Sequence, residues 1–470
     1  MRRTFFLVSL PLALCAAAAL GQAPGTLDTS FGDAGLAVVD IPVGGNPRSN
    51  IAFDVVAQVD GRIVMSGSSS LIGSDTGPER MIAVRLLSNG DPDGSFGTAG
   101  IARIDGNPGG SDNTHYYDGR IEAVPGGGYF MFHGTDLNPV GWVLVKLTAA
   151  GALDGSFSGD GRVIASAADL GAGDVAVQSD GKPVLVEDFA AANQDFGVER
   201  RLSNGSADAT FSGDGFAEIG FNLPSLNDDH ARVVFLQPDG RILVGGRAQA
   251  SASNADFAVA RLTSAGELDP TFGGGDGKVT ISFDLAVGNY DEVRAFAVDD
   301  RGRIYVGGIS GNGSSNNDCS VARLLFDGTL DNTFSGDGKL TFTFNAPAGT
   351  GYDQVFGLAV QGDGKLIAAG RGTNASGGGR WFGVARILET GNFDPAFAGD
   401  GTTAFNTATG GGSISVGRAV DLAPDGRIIV VGGGETAGSD MAFVAVRLHN
   451  DYIFADGFDW GTTAEWILTN

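Results

Sequence analysis

The chain has 470 residues, 42% of them hydrophobic, with a formal net charge of −25 and a pI near 4.3. Such a surface repels nucleic-acid phosphates and anionic lipid, so neither is expected as a partner. The apolar share excludes a disordered chain, and 77 glycines without a G-X-Y period exclude collagen and imply many tight turns.

In chain order, Arg2 and Arg3 precede a mostly apolar run from Phe5 to Leu20, and Gly21-Gln22-Ala23 offers a small-x-small cleavage site. Residues 1–23 are read as a signal peptide and the mature chain as secreted or held at the cell surface. Cleavage removes Cys15, leaving Cys319 as the one thiol and no internal disulfide. Leu14 stands where a lipoprotein signal needs a small residue, so no lipid anchor is expected. No later stretch approaches the ~20 unbroken apolar residues of a membrane-spanning helix. A monomer is expected.

From Leu27 onward one phrase recurs: LDTSFG, PDGSFG, LDGSFSGDG, ADATFSGDG, LDPTFGGGDG, LDNTFSGDG and FDPAFAGDG. Its phenylalanines are Phe31, Phe96, Phe157, Phe211, Phe272, Phe334 and Phe397. A period near 60 residues, sustained along the chain, marks an array of one supersecondary unit. Each unit adds three landmarks. A short strand-forming run follows the phrase, as in Leu36-Ala37-Val38-Val39 and Lys278-Val279-Thr280-Ile281. A hairpin then turns at Asp60-Gly61, Asp180-Gly181, Asp239-Gly240, Asp363-Gly364 and Asp425-Gly426, where a type I′ turn is expected. A third strand ends on a base: Arg85, Lys146, Arg201, Arg261, Arg323, Arg386 and Arg447. An ion pair between that base and the phrase aspartate is favoured over a ligand-binding ring of cations, because a half-buried base needs a carboxylate.

Four short antiparallel strands per unit make a small sheet. Seven such sheets around an axis make an all-β, seven-bladed β-propeller over residues 24–449, followed by a C-terminal tail at 450–470. The recurring phenylalanine is expected to plug the seam between blades.

The run QPDGRILVGG, FAVARL and GELDPTFGGGDG, within Gln237 to Gly277, resembles the delta-60 repeat of exported bacterial proteins. That resemblance implies a β-propeller and carries no catalytic residues. It spans Leu27 to about His449, with unit two departing most at Gly126-Gly127-Gly128. The tail, with Ile453-Phe454-Ala455-Asp456-Gly457-Phe458, resembles a short ending found on exported Gram-negative proteins. Sorting and packing on the last blade both remain open for it.

Candidate sites are few. Each GDG turn carries two nearby carboxylates, fewer than the six to eight oxygens calcium takes, so no cofactor is expected and calcium stays a minor alternative. Aligned on the turn glycines, Asp229, Asp291 and Asp353 coincide, with Tyr290 and Tyr352 before two of them and His230 after the third. Tyr117 and Asp118 occupy the corresponding loop of unit two. Gathered on one face, these residues are the candidate binding surface for a protein or a glycan. Four histidines without H-E-x-x-H, and one lone cysteine, offer little for catalysis. The first expectation is therefore an exported, non-enzymatic binding or scaffold module. The alternative is an extracellular enzyme, a polysaccharide lyase or glycosidase, using carboxylates in the propeller mouth.

Overall fold

Apolar and β-branched residues come in runs of four to ten between glycine turns, too short for stable helices, and they form strands. The computed structural model describes residues 23–451, apart from 42–47, 72–79, 107–115, 136–140, 167–170, 191–193, 224–227, 252, 284, 286–289, 312–316, 345–351, 374–378, 410–411 and 437–439. Nearly all of the expected signal peptide, and the tail beyond Asp451, lie outside the described residues. Among the described residues there are 28 strands and a single 3-10 turn at Gly273–Gly275. No helix among them is long and apolar enough to cross a membrane.

The strands form five four-stranded antiparallel sheets and one eight-stranded sheet. A representative sheet runs His230–Leu236, Ile242–Ser251, Asn254–Leu262, Lys278–Ile281, so the phrase lies between the third and fourth strands. The eight-stranded sheet comprises two sets of four that meet at one parallel pair, Ser49 with Met441. The same parallel contact recurs as an isolated bridge at Gln194–Asp228, Ala255–Tyr290, Asn317–Tyr352 and Arg380–Ile414. The N-terminal strand Leu36–Val39 completes the last set by pairing antiparallel with Met441–Leu448. The first and last of the described strands are thus zipped into one sheet.

The hairpin turns correct the type I′ expectation. Only the glycine has positive φ, for example Gly61 at 81°, while Asp60 does not. The Gly61 N–H donates to the Gln58 carbonyl and the Gln58 N–H to the Arg62 carbonyl. This is a longer loop closed by one left-handed glycine, and the Asp60 carboxylate accepts the Arg62 N–H instead of entering the left-handed region.

The phrase is the joint between sheets. In the fifth phrase, Asp269 Oδ2 accepts from Arg261 Nε at 2.8 Å, and its Oδ1 accepts from the Thr271 N–H and hydroxyl. Arg261 lies over the Phe272 ring at 4.6 Å and donates onward to the Phe326 carbonyl in the next repeat. The same contacts recur at Arg85–Asp93–Phe96, Arg323–Asp331–Phe334 and, across the chain ends, Arg447–Asp28–Phe31. All seven phrase phenylalanines are fully buried, as expected of seam plugs. One base needs correction. Arg200, not Arg201, pairs with Asp208 at 2.8 Å, and Arg201 turns to Glu199. The residue after each phenylalanine also donates its N–H to the next repeat: Gly32 to Asn89, Ser158 to Asn204, and Ala398 to Pro24.

Asp28 binds Arg447 and Arg427 while only 2% exposed, whereas Lys146–Asp154 is a more open pair with side chains 16% and 24% exposed. Asp28→Ala should therefore cost about 3–5 kcal/mol, leaving buried guanidinium unpaired. Asp154→Ala should cost about 1 kcal/mol or less. Urea unfolding of the two variants checks this, and equal losses would contradict the joint as drawn.

Candidate functional site

The first strand of every set faces a common cavity of about 400 Å³. Its lining comes from Arg48–Ala57, Tyr116–Ala123, Gly171–Val177, His230–Leu236, Asp291–Val298, Gln354–Val360 and Ser415–Leu422. Each of these strands carries a bulge at the matching place. A bulge bends the strand and re-aims side chains, which here lets the strands converge.

At the position just past the bulge stand Asp54, Arg120 and Asp174 on three successive first strands. Arg120 Nε lies 3.8 Å from Asp174, and its charge acts favourably on both aspartates. Glu122, two residues beyond Arg120, also lines the cavity, and Asp421 adds to its electrostatic load. Burial pushes these carboxyls up, Asp54 to about 7, Glu122 to about 8 and Asp421 to about 6, and it raises Asp174 too. For Glu122 the charges of Asp54, Asp174 and Asp421 add to the effect.

The four carboxyls are not equivalent. Asp54 accepts the N–H groups of Val55 and Ile121, Asp174 those of Val175 and Val234, and Asp421 those of Leu422 and Ala57. Each thus ties its own strand to the next one round. Glu122 has no hydrogen bond among the described residues. It is a proton-bearing carboxyl at neutral pH that faces open space.

The residues in the bulges form a second layer. Phe53, Gly173, Arg232, Arg294, Phe356 and Arg418 stand there on six of the first strands. Arg418 lies between the rings of Phe53 and Phe356 at 5.3 and 4.6 Å. Arg232 binds Glu292 at 3.0 Å and Asp188 at 3.1 Å, and Arg294 and Arg247 also reach Glu292. Glu292 is held below its usual range despite burial, because Arg294, Arg232 and Arg247 surround it. Arg232 and Arg294 thus gather about Glu292, while Arg120 stands with Asp54 and Asp174 and Arg418 shares its strand with Asp421.

The loop residues expected as a binding surface are placed differently from one another. Asp229, Asp291 and Asp353 are buried, at most 1% exposed. Their carboxylates accept the Phe221, Phe283 and Phe344 N–H groups where the preceding fourth strand ends. Their equal spacing therefore marks a repeated latch, and Ser415 does the same for Thr407. Tyr290 and Tyr352 are exposed at 38% and 46%, and Tyr290 donates to Glu292 at 2.9 Å. His230 Nδ1 lies 2.9 Å from Asp188. Tyr117 and Asp118 sit on the Tyr116–Ala123 strand, with their side chains outside the described residues.

The aspartates of the GDG turns, such as Asp160, Asp214 and Asp337, accept the N–H two residues on. Among the described residues no group of three or more His, Cys, Asp or Glu side chains is arranged to hold a metal ion. The axial carboxyls went unseen in sequence because they occupy unlike residues at like positions. The one available signal was their placement: Asp54, Arg120 and Asp174 each fall six residues before the first residue of the hairpin turn pair.

A model of a β-propeller domain of unknown function (DUF5122) matches residues 58–96, 237–272, 302–334 and 361–397, so the chain carries β-propeller repeats. No curated protein matches the chain in sequence. Solved structures do. A protein of unknown function from Dyadobacter fermentans is 11% identical, covering 88% of this chain and 99% of its own, with a TM-score of 0.45. An α-L-arabinanase from Penicillium chrysogenum is 11% identical over 71% and 92%, with a TM-score of 0.43. A family PL25 ulvan lyase is 10% identical over 86% and 95%, with a TM-score of 0.45. These likenesses speak to the fold alone. The first functional expectation, a non-enzymatic binding or scaffold module, is corrected. The arabinanase and the lyase are themselves named as enzymes of the kind its alternative describes.

The two groups of carboxyls oppose each other in pH. Asp54, Glu122 and Asp421 hold protons more tightly folded than unfolded, so their contribution to stability falls as pH rises from about 4, the unfolded carboxyl value, to about 8. Hydrogen bonds from Ser95 hold Asp93 at about 2, and Ser156 with Lys146 holds Asp154 there, so their contribution is lost as pH falls below about 4. The melting temperature should peak between about pH 4 and 6. Combining Asp54→Asn with Glu122→Gln should flatten the alkaline decline in scanning calorimetry. A decline unchanged by the pair would contradict the assignment.

Proposed function

We propose that this protein is an exported enzyme that acts on a polysaccharide in the axial chamber, with Glu122 as the proton donor. In this reading residues 1–23 direct export, residues 24–449 are seven delta-60 repeats closed into a seven-bladed ring, and residues 450–470 are a separate tail. The five four-stranded sheets, and the two sets within the eight-stranded one, support that count.

The observation that carries the functional reading is Glu122. Cleaving a glycosidic bond, by hydrolysis or elimination, requires a proton for the leaving oxygen, and the donor must be protonated at working pH. Glu122 meets that requirement through burial and the neighbouring carboxylates, and no hydrogen bond among the described residues diverts it. Asp174, on the next first strand, is the partner carboxyl in this reading: burial raises it, and Arg120 at 3.8 Å favours its charged form against that burial. Tyr290, Tyr352, His230, Tyr117 and Asp118 belong to the rim through which a saccharide chain would enter.

Purified mature protein should release oligosaccharides from at least one member of a polysaccharide panel. Glu122→Gln should lower kcat/KM by about 10²–10⁴-fold, and wild-type activity should decline above about pH 8. Absence of turnover across the panel, or full activity in the Gln variant, would remove this reading.

A further inference from the structure

The phrase phenylalanines are fully buried, but Tyr290 and Tyr352 stand in solvent, 38% and 46% exposed. They hold the same place in neighbouring repeats. Each forms a parallel bridge to the third strand of the repeat before it, Tyr290 with Ala255 and Tyr352 with Asn317. Ile414 holds that place one repeat further on, bridged to Arg380 and 38% exposed. A single exposed apolar residue is ordinary on a protein surface, whereas the same place filled this way in three successive repeats is a feature to explain. The fold itself does not require it. The corresponding bridge is made by Ser49 in the first repeat and by Asp228 in the fourth.

Both tyrosines are also held in place. Arg247 lies over the Tyr290 ring at 4.8 Å, and the Tyr290 hydroxyl donates to Glu292. The Tyr352 N–H donates to the Thr373 hydroxyl at 3.0 Å, and the Arg371 guanidinium lies 6.0 Å from the Tyr352 ring. A ring fixed beforehand and partly open to solvent can stack on the apolar face of a sugar with little ordering cost. The strip also leads to the chamber. Four residues further along the same strands come Arg294 and Phe356, both of which line the cavity. At the rise of a strand that is about 13 Å from the tyrosines. Glu292 joins the two levels, because it accepts from Tyr290 and pairs with Arg294.

We infer that Tyr290, Tyr352 and Ile414 form an outer subsite on which a polysaccharide chain stacks while one of its units occupies the chamber. The inference rests on the saccharide reading of the chamber proposed above. It makes the substrate a polymer long enough to reach both levels, since a monosaccharide in the chamber leaves the strip bare.

Affinity electrophoresis tests this apart from turnover, with full-length mature Glu122→Gln protein in native gels cast with arabinan, polygalacturonate or a sulfated galactan. At least one polysaccharide should retard the protein. Adding Tyr290→Ser and Tyr352→Ser, the residue that the first repeat already carries at this place, should raise the dissociation constant for that polysaccharide about tenfold or more. Tyr290→Phe with Tyr352→Phe should leave it nearly unchanged. On protein with both tyrosines intact, the retarding polysaccharide should protect Tyr290 and Tyr352 from nitration by tetranitromethane, read by peptide mass spectrometry. No retardation in any gel, wild-type retardation in the Ser pair, or nitration unaffected by polysaccharide would overturn the inference. Turnover without protection of the rings would sink the subsite and leave the enzyme standing. Protection without turnover by wild-type protein would do the reverse.

Discussion

Everything in this fold hangs on a buried guanidinium held between a carboxylate and a phenylalanine ring. Arg261, Asp269 and Phe272 show the arrangement, and it joins the third strand of one sheet to the phrase that leads into its fourth. The outer guanidinium nitrogen then reaches a carbonyl of the following repeat, so one side chain fixes a turn and couples neighbours. A buried ion pair is poor evidence of net stability, because desolvation offsets the attraction. Its value here is register. Each phrase can close in one way only, since any other leaves a buried charge without a partner. The joint at Arg447 and Asp28 applies the same rule to residues 419 positions apart, which makes ring closure a repeat of a local event.

The parts of the molecule legible in sequence are those that repetition serves. Strands, hairpins and phrase joints recur because every repeat solves the same packing problem, and equal problems select equal residues. Arg200 was misassigned to Arg201, yet a fixed offset of eleven residues to the phrase phenylalanine separates them: Arg85 to Phe96, Arg261 to Phe272, Arg200 to Phe211. The aligned aspartates Asp229, Asp291 and Asp353 illustrate the converse error. Their regular spacing suggests a gathered surface, but regularity is the mark of a latch, and each closes on the end of a preceding strand. The chamber was illegible for the same reason. Its residues matter through difference, and Asp54, Arg120, Asp174, Val233, Ala295, Gly357 and Ala419 share one position without sharing a chemistry.

Difference can accumulate there because the axis is where side chains from separate repeats meet with the fewest packing obligations. A phrase arginine cannot change without stranding an aspartate. A residue past a bulge faces the chamber and tolerates Asp, Arg, Val, Ala or Gly. Even so the two demands touch. Asp54 and Asp174 face the cavity and, like Asp421, also bind backbone N–H groups of the neighbouring strand. Their oxygens are therefore partly committed to holding the ring together, and Glu122 is the carboxyl left uncommitted.

The division of charge follows from this geometry. Burial, reinforced by the acids on adjacent first strands, raises Glu122 without any dedicated partner among the described residues. Arg120 favours the charged forms of Asp54 and Asp174, while Arg232 and Arg294 gather about Glu292 farther round the ring. Nearly identical sheets thus hold a proton-retaining wall on their axis, and that wall depends on a handful of positions at which the repeats were free to differ.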